Sequence, residues 1–185
     1  MLLNADQSCL VIVDMQENLL PAVMEPGRLV ANCAFLMKSA VRLGVPVLIT
    51  EQYPKGLGPT VKGLGSLENG AQVIEKLEFS CMANEDFVEK FAGLGRPQAI
   101  ITGMETHVCV LQTVLQLCAL GHQAFVVGDA TSSRGAMDAR LAIQRMRAGG
   151  AQIVSTEMVA FEWLGRAATP EFKEISTLIK QRAPN

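Results

Sequence analysis

Apolar positions along this chain fall into two rhythms that take turns. Short runs rich in Val and Ile cover Cys9–Val13, Val45–Thr50, Val73–Lys76, Gln98–Thr102, Gln123–Val127 and Gln152–Ser155. Apart from the weaker Val73–Lys76, their central positions are apolar in succession instead of alternating, as in strands covered on both faces of a sheet. Between them the period changes. Leu29–Leu43 places Leu29, Cys33, Leu36, Met37, Ala40 and Val41 at i, i+3, i+4 spacing, one face of an amphipathic helix, with Gly44 as its stop. Three more helices are expected from side-chain oxygens able to satisfy orphan N–H groups. Asn84 would cap Glu85–Leu94, Thr106 would cap His107–Leu120 before Gly121, and Ser132 or Ser133 would cap one running toward Gly149. Met158–Leu164 and Pro170–Ile179 read as short late helices closing one edge of the sheet, the second opened by Thr169-Pro170 with Glu171 in its first turn. Strands alternating with helices predict α/β architecture in a single domain over residues 1–185. The expected form is a Rossmann-like three-layer sandwich, a parallel six-stranded sheet of order 3-2-1-4-5-6 with helices on both faces.

Glu51–Gly70 breaks both rhythms, is rich in glycine with two prolines, and reads as a long surface loop. Loops beyond about 12–15 residues in a small domain are usually functional. At 185 residues, 49% hydrophobic and 18% charged, the chain has enough apolar material for one core, which excludes a disordered protein. A net charge of −2 with no basic run gives nucleic acid nothing to bind. No apolar stretch nears the roughly 18–20 residues of a membrane span, and the chain start lacks a signal-peptide pattern, so no membrane partner is expected. Five cysteines, odd in number and without CxxC spacing, suit free thiols in a reducing cytoplasm. Cys9, Cys33 and Cys118 lie in core patterns, and Cys81 is undecided. Two histidines, with no HExxH and no Cys/His cluster, predict neither a metal site nor another cofactor.

Three residues could carry chemistry. Asp14 ends the first strand at the carboxyl edge, where open α/β sheets bind ligands, though alone it reads equally as a turn residue or helix cap. Cys109 falls in the first helical turn after the fourth strand, where the helix dipole would favour a thiolate; the alternative is an inert buried thiol. In the expected strand order the first and fourth strands are neighbours, so Asp14 and Cys109 would meet across one crevice. Lys76 ends the third strand, or is simply a solvated lysine between Glu75 and Glu78. His107 could line a pocket or be solvated. Gly56-x-Gly58 and Gly63-x-Gly65 lack a phosphate-cradle pattern, and no GxSxG elbow supports a serine hydrolase.

Taken together, Val13-Asp14-Met15-Gln16, Lys76 with Phe79-Ser80, and Gly103-Met104-Glu105-Thr106-His107-Val108-Cys109-Val110 resemble the isochorismatase-like, or cysteine hydrolase, superfamily over nearly the whole chain. The resemblance implies Cys109 as nucleophile, Asp14 as its base and Lys76 as the orienting cation. It also implies a cis Met104–Glu105 peptide that aims the backbone N–H groups of Glu105 and Cys109 into an oxyanion hole. Nicotinamidases of this superfamily carry an Asp-x-His metal motif where this chain reads Glu51-Gln52-Tyr53-Pro54, so no metal is implied. True isochorismatases lack the nucleophilic cysteine. Thr50–Gly58 instead is similar to the isochorismatase-domain-containing branch. Gln16, Gln52, Tyr53, Leu57, Phe79, Thr106 and His107 are the expected pocket walls, each also explicable as loop packing. The implied activity is hydrolysis of an amide or related C–N bond of a small molecule. The alternatives are an idle member acting as an interaction protein, and a ribonuclease, which would need a basic groove. A homo-oligomer, dimer or tetramer, is expected, with Phe161, Trp163 and Leu164 either at its interface or in the core.

Overall fold

Parallel strands cannot be joined by hairpins, and this chain places a helix in every connection. The computed structural model describes residues 1–64 and 70–182, so part of the expected Glu51–Gly70 loop, with Gly65, lies outside the described residues. Its strands are β1 (Ser8–Val13), β2 (Val47–Gln52), β3 (Gln72–Lys76), β4 (Gln98–Met104), β5 (Gln123–Ser132) and β6 (Gln152–Val154). Its helices are α1 (Pro26–Arg42), α2 (Pro54–Leu57), α3 (Glu85–Gly93), α4 (Leu111–Ala119), α5 (Ala136–Ala148), α6 (Thr156–Leu164) and α7 (Pro170–Gln181). All strand pairs are parallel and the order is β3-β2-β1-β4-β5-β6.

Strand β1 shows why the apolar runs do not alternate. Leu10 and Ile12 join Leu36, Trp163 and Ile175 of α1, α6 and α7 in one core, whereas Cys9, Val11 and Val13 join Phe87, Val114 and Met146 of α3, α4 and α5 in the other. Both faces are covered, so both sets must be apolar. The edge strand β3 is the exception, burying only Ile74 and Lys76. Gly44 ends α1 with φ +68°, a conformation that favours glycine.

Several local expectations give way to longer-range pairing. Thr106 does not cap a helix: Thr106–Val110 forms a π-helical turn ahead of α4, Glu105 holds the cap position, and the buried Thr106 hydroxyl has no partner among the described residues. Ser132 and Ser133 do not cap α5, because β5 extends to pair Ser132 with Met104 and α5 starts after Gly135. Asn84 and Thr169 do cap, their side-chain oxygens accepting from Phe87 N at 3.0 Å and Phe172 N at 3.1 Å. Glu51 and Gln52 belong to β2, and α2 follows them, so the glycine-rich segment begins with regular structure. Helices α6 and α7 lie over the sheet beside α1 instead of closing an edge. Trp163 is therefore core, its indole donating to Ser8 Oγ at 3.0 Å, while Phe161 stays exposed. Cys81 is buried and Cys118 is partly exposed. Among the described residues no helix is long and apolar enough to cross a membrane.

Candidate active site

At the carboxyl edge, β1 lies between β2 and β4, and the connections leave β1 and β4 in opposite directions, which opens a crevice. Asp14 steps out of β1 with φ +50°, rare for a residue other than glycine. Its carboxylate is fully buried and held on both oxygens. The Thr50 hydroxyl of β2 donates to Oδ1 at 2.7 Å, and the Lys76 ammonium of β3 donates to Oδ2 at 2.8 Å. Asp14 is thus neither a turn residue facing solvent nor a helix cap.

Lys76 is only 2% exposed, so the solvated-lysine reading is wrong. Its Nζ also donates to Gln52 Oε1 at 2.6 Å and to the carbonyls of Glu78 and Phe79 at 3.2 and 3.4 Å. Burial is the largest influence and would lower the pKa of the ammonium, but the Asp14 carboxylate, with Cys81 and Cys109, together carry Lys76 above the ordinary lysine value. A buried, charged and bonded pair is the result.

Cys109 lies in the π-helical turn, 6% exposed, with Asp14, Lys76 and Cys81 all within electrostatic reach of its thiol. Burial pushes this thiol well above the usual cysteine range, Asp14 pushes it further, and Lys76 opposes both. The expectation that the helix start leaves a thiolate at rest is therefore corrected: desolvation and a neighbouring carboxylate outweigh the dipole.

The close approach that brings β4 to β1 rests on Gly103. It pairs with Val13, has φ +104°, and an added Cβ would come within 2.1 Å of the Val13 carbonyl oxygen. The next peptide bond, Met104–Glu105, is cis. The end of β5 fastens the turn that follows. Glu105 Oε1 accepts from Arg134 Nε at 2.9 Å and Arg134 N at 3.3 Å, and His107 Nδ1 lies 3.0 Å from Ser133 Oγ.

The expected pocket residues separate into groups. Gln52 sits beside Lys76, with its Nε2 donating to Leu77 O at 2.8 Å. Gln16 is spent on loop backbone, donating to Gln52 O and Gly58 O at 3.0 and 2.7 Å and accepting from Gln52 N at 2.8 Å, so it braces the site without facing it. Tyr53 borders a surface cavity of about 410 Å³ with Glu75, Lys76 and Leu77. Leu57 is half-buried, and Phe79 is exposed next to the carbonyl that Lys76 binds. Thr106 and His107 instead line separate cavities against α5. Among the described residues no group of three His, Cys, Asp or Glu side chains could hold a metal ion, and Glu51 turns to Thr60, accepting from its N–H and hydroxyl at 2.6 and 2.7 Å. Sequence reasoning missed Thr50, Cys81 and Arg134. The parallel register that sets Val13 against Thr50 was the available signal for the first of these.

Known proteins share this arrangement of elements. The Isochorismatase domain model matches residues 8–158. Isochorismatase domain-containing protein 2A of Mus musculus is 38% identical over 183 residues, covering 97% of this chain and 86% of its own. Isochorismatase domain-containing protein 1 of Salmo salar is 38% identical over 171 residues, 92% of this chain, which spans only 60% of that relative's length. Among solved structures, the MAR1 ribonuclease of Caenorhabditis elegans has a TM-score of 0.92 at 32% identity, covering 100% of this chain and 95% of its own. YcaC of Pseudomonas aeruginosa, with hexane-2,5-diol and covalent acrylamide, has a TM-score of 0.88 at 27% identity, covering 97% and 96%. The Escherichia coli YcaC gene product, an octameric hydrolase of unknown specificity, has a TM-score of 0.86 at 27% identity, covering 97% of each chain. With the domain model matched from β1 into α6 and relatives aligned over nearly the full chain, this protein belongs to the isochorismatase domain family of hydrolases.

Proposed function

We propose that this protein is a cysteine hydrolase that cleaves an amide or related C–N bond of a small molecule. The observation that carries the reading is the buried Asp14–Lys76 pair with the Cys109 thiol within electrostatic reach of both charges. A thiol whose pKa is raised by burial needs a base in contact with it, and Asp14 is that base. Asp14 takes the proton as Cys109 Sγ attacks the carbonyl carbon, and the backbone N–H groups of Glu105 and Cys109 hold the oxyanion. The C–N bond breaks, the proton passes from Asp14 to the leaving nitrogen, and a thioester remains. Asp14, again a carboxylate, then takes a proton from water as its oxygen attacks the thioester. The acid leaves and that proton returns to Cys109 Sγ. Lys76 stays charged throughout, holding Asp14 in place and offsetting the charge that shuttles beside it.

The 6% exposure of Cys109 supports a small substrate. The covalent acrylamide of the Pseudomonas relative supports a reactive nucleophile, since acrylamide alkylates thiols. One observation favours a second reading, phosphodiester cleavage: the nematode relative is described as a ribonuclease. The net charge of −2 weighs against it, because binding a polyanion needs a basic surface. We also propose a homo-oligomer, supported by the octamer of the Escherichia coli relative, and a reducing cytoplasmic setting, supported by five free thiols. The test is a library of small carboxamides scored by ammonia release, with Cys109→Ala as control. Release that disappears in Cys109→Ala, with a transient acyl mass on Cys109, is the expected result. No release from any amide, with cleavage of an oligoribonucleotide that survives Cys109→Ala, would overturn the reading. Inertness toward both would leave an interaction protein.

A further inference from the structure

We infer that Thr50 is a positioning residue that fixes the Asp14 carboxylate for proton transfer from Cys109, an inference resting on the hydrolase reading above. Thr50 is fully buried in the carboxyl half of β2, and its side-chain oxygen is the hub of three contacts. The Asp14 backbone N–H donates to it at 3.3 Å, the Cys81 thiol donates to it at 3.9 Å, and it donates to Asp14 Oδ1 at 2.7 Å. This inventory sets the direction of the hydroxyl. Two donors already point at the oxygen, so its single hydrogen is left for the carboxylate.

The consequence is orientation. Lys76 holds Oδ2 at 2.8 Å and Thr50 holds Oδ1 at 2.7 Å, so the carboxylate plane cannot rotate about its bond to Cβ without breaking one of the two. The left-handed backbone at Asp14 is itself tied to β2, since the Asp14 N–H donates to the Thr50 carbonyl at 3.1 Å. One threonine thus fixes both the backbone and the side chain of the base. The charged and titratable groups that face Asp14 are Lys76 from β3, Cys81 from the turn before α3 and Cys109 from the π-helical turn. Thr50 is the group beside Asp14 that does not titrate, and its role is separable from theirs by substitution.

The experiment follows iodoacetamide labelling of Cys109 by peptide mass spectrometry against pH, in the parent protein, Thr50→Val, Thr50→Ser and Asp14→Asn. Valine keeps the shape and removes the hydroxyl. A carboxylate that loses a donor is protonated more readily, so the acid limb of the Thr50→Val profile should move up by about one pH unit. The plateau rate should fall about tenfold, while Thr50→Ser stays within about twofold of the parent, in line with a hydrogen bond to a charged group. Should Thr50→Val be insoluble, Thr50→Ala removes the same hydroxyl with less bulk and is read by the same displacement. A purely structural threonine would lower the melting temperature without moving the limb. Superimposed profiles for the parent and the hydroxyl-free variant would overturn the inference while leaving Asp14 as base, provided Asp14→Asn still slows labelling. If Asp14→Asn also labels like the parent, the hydrolase reading itself fails.

Discussion

Replacing Lys76 with methionine keeps most of the length of the side chain and deletes its charge, leaving a buried carboxylate with the Thr50 hydroxyl as its side-chain donor. At 2.8 Å and an effective dielectric of about 20, the Lys76–Asp14 attraction is about 6 kcal/mol before desolvation is subtracted. Removing one partner of a buried pair costs about 3–5 kcal/mol, because the other charge is stranded. For a chain of this size each kcal/mol lowers Tm by about 2–4 °C, so Lys76→Met should melt roughly 6–20 °C below the parent. The assay is urea unfolding at pH 7 on Lys76→Met, Asp14→Asn and the double variant. The double variant should recover part of the loss, since no charge is then stranded. The wild-type pair also carries a pH signature. Lys76 titrates higher in the folded state than the ordinary 10.5, so its contribution is whole below that value and fades as pH rises through the folded one. A Lys76→Met loss under about 1 kcal/mol, the size expected of an exposed ion pair, would refute the reasoning.

Three further outcomes follow from the same geometry. Gly103→Ala sets a methyl group 2.1 Å from the Val13 carbonyl, in a left-handed conformation, so it should cost upwards of about 3 kcal/mol in urea unfolding and slow Cys109 labelling with it. Burial pushes Cys9 and Cys33 up to about 12 and Cys81 up to about 11, against 9.0 for an exposed thiol. Their unfolded forms ionise first, so under reducing conditions stability should fall between pH 9 and 11 by up to about 1.4 kcal/mol per unit for each thiol; unchanged urea midpoints across that range would contradict it. Arg134→Gln should change stability by less than about 1 kcal/mol, since the Arg134 side chain is 63% exposed, yet should slow amide turnover several-fold by freeing Glu105; unchanged kcat would remove Arg134 from the account.

Much of this architecture was legible in the chain itself. Runs such as Cys9–Val13 are apolar at every position because α1 and α4 cover opposite faces, which suits parallel strands, and the neighbouring of β1 with β4 follows from the doubly wound strand order. What failed was local chemistry overruled from a distance. Ser132 has a capping side chain, but pairing with Met104 keeps it in β5. Thr106 sits where a cap is wanted, but the turn between Gly103 and Cys109 is a π-helical one set by neighbouring strands. Lys76 lies between acidic neighbours in sequence, yet strand alternation turns it inward while Glu75 and Glu78 face out. Cys109 illustrates the limit of a helix-dipole argument, which counts one favourable partial charge and cannot see the carboxylate delivered by a strand more than ninety residues earlier. Gln16 belonged to the right motif for another reason, bracing the segment after β2 in place of touching a ligand.

The account stands on Asp14 acting on Cys109, and the most direct measurement is the rate of iodoacetamide labelling at Cys109 near neutral pH in the parent and in Asp14→Asn. Asparagine keeps the shape and cannot take a proton. The account predicts that Cys109 in the parent labels faster than the partly exposed Cys118, and that Asp14→Asn reduces the rate at Cys109 by at least about tenfold while leaving Cys118 unchanged. Equal rates at Cys109 in the two proteins, no faster than at Cys118, would contradict it.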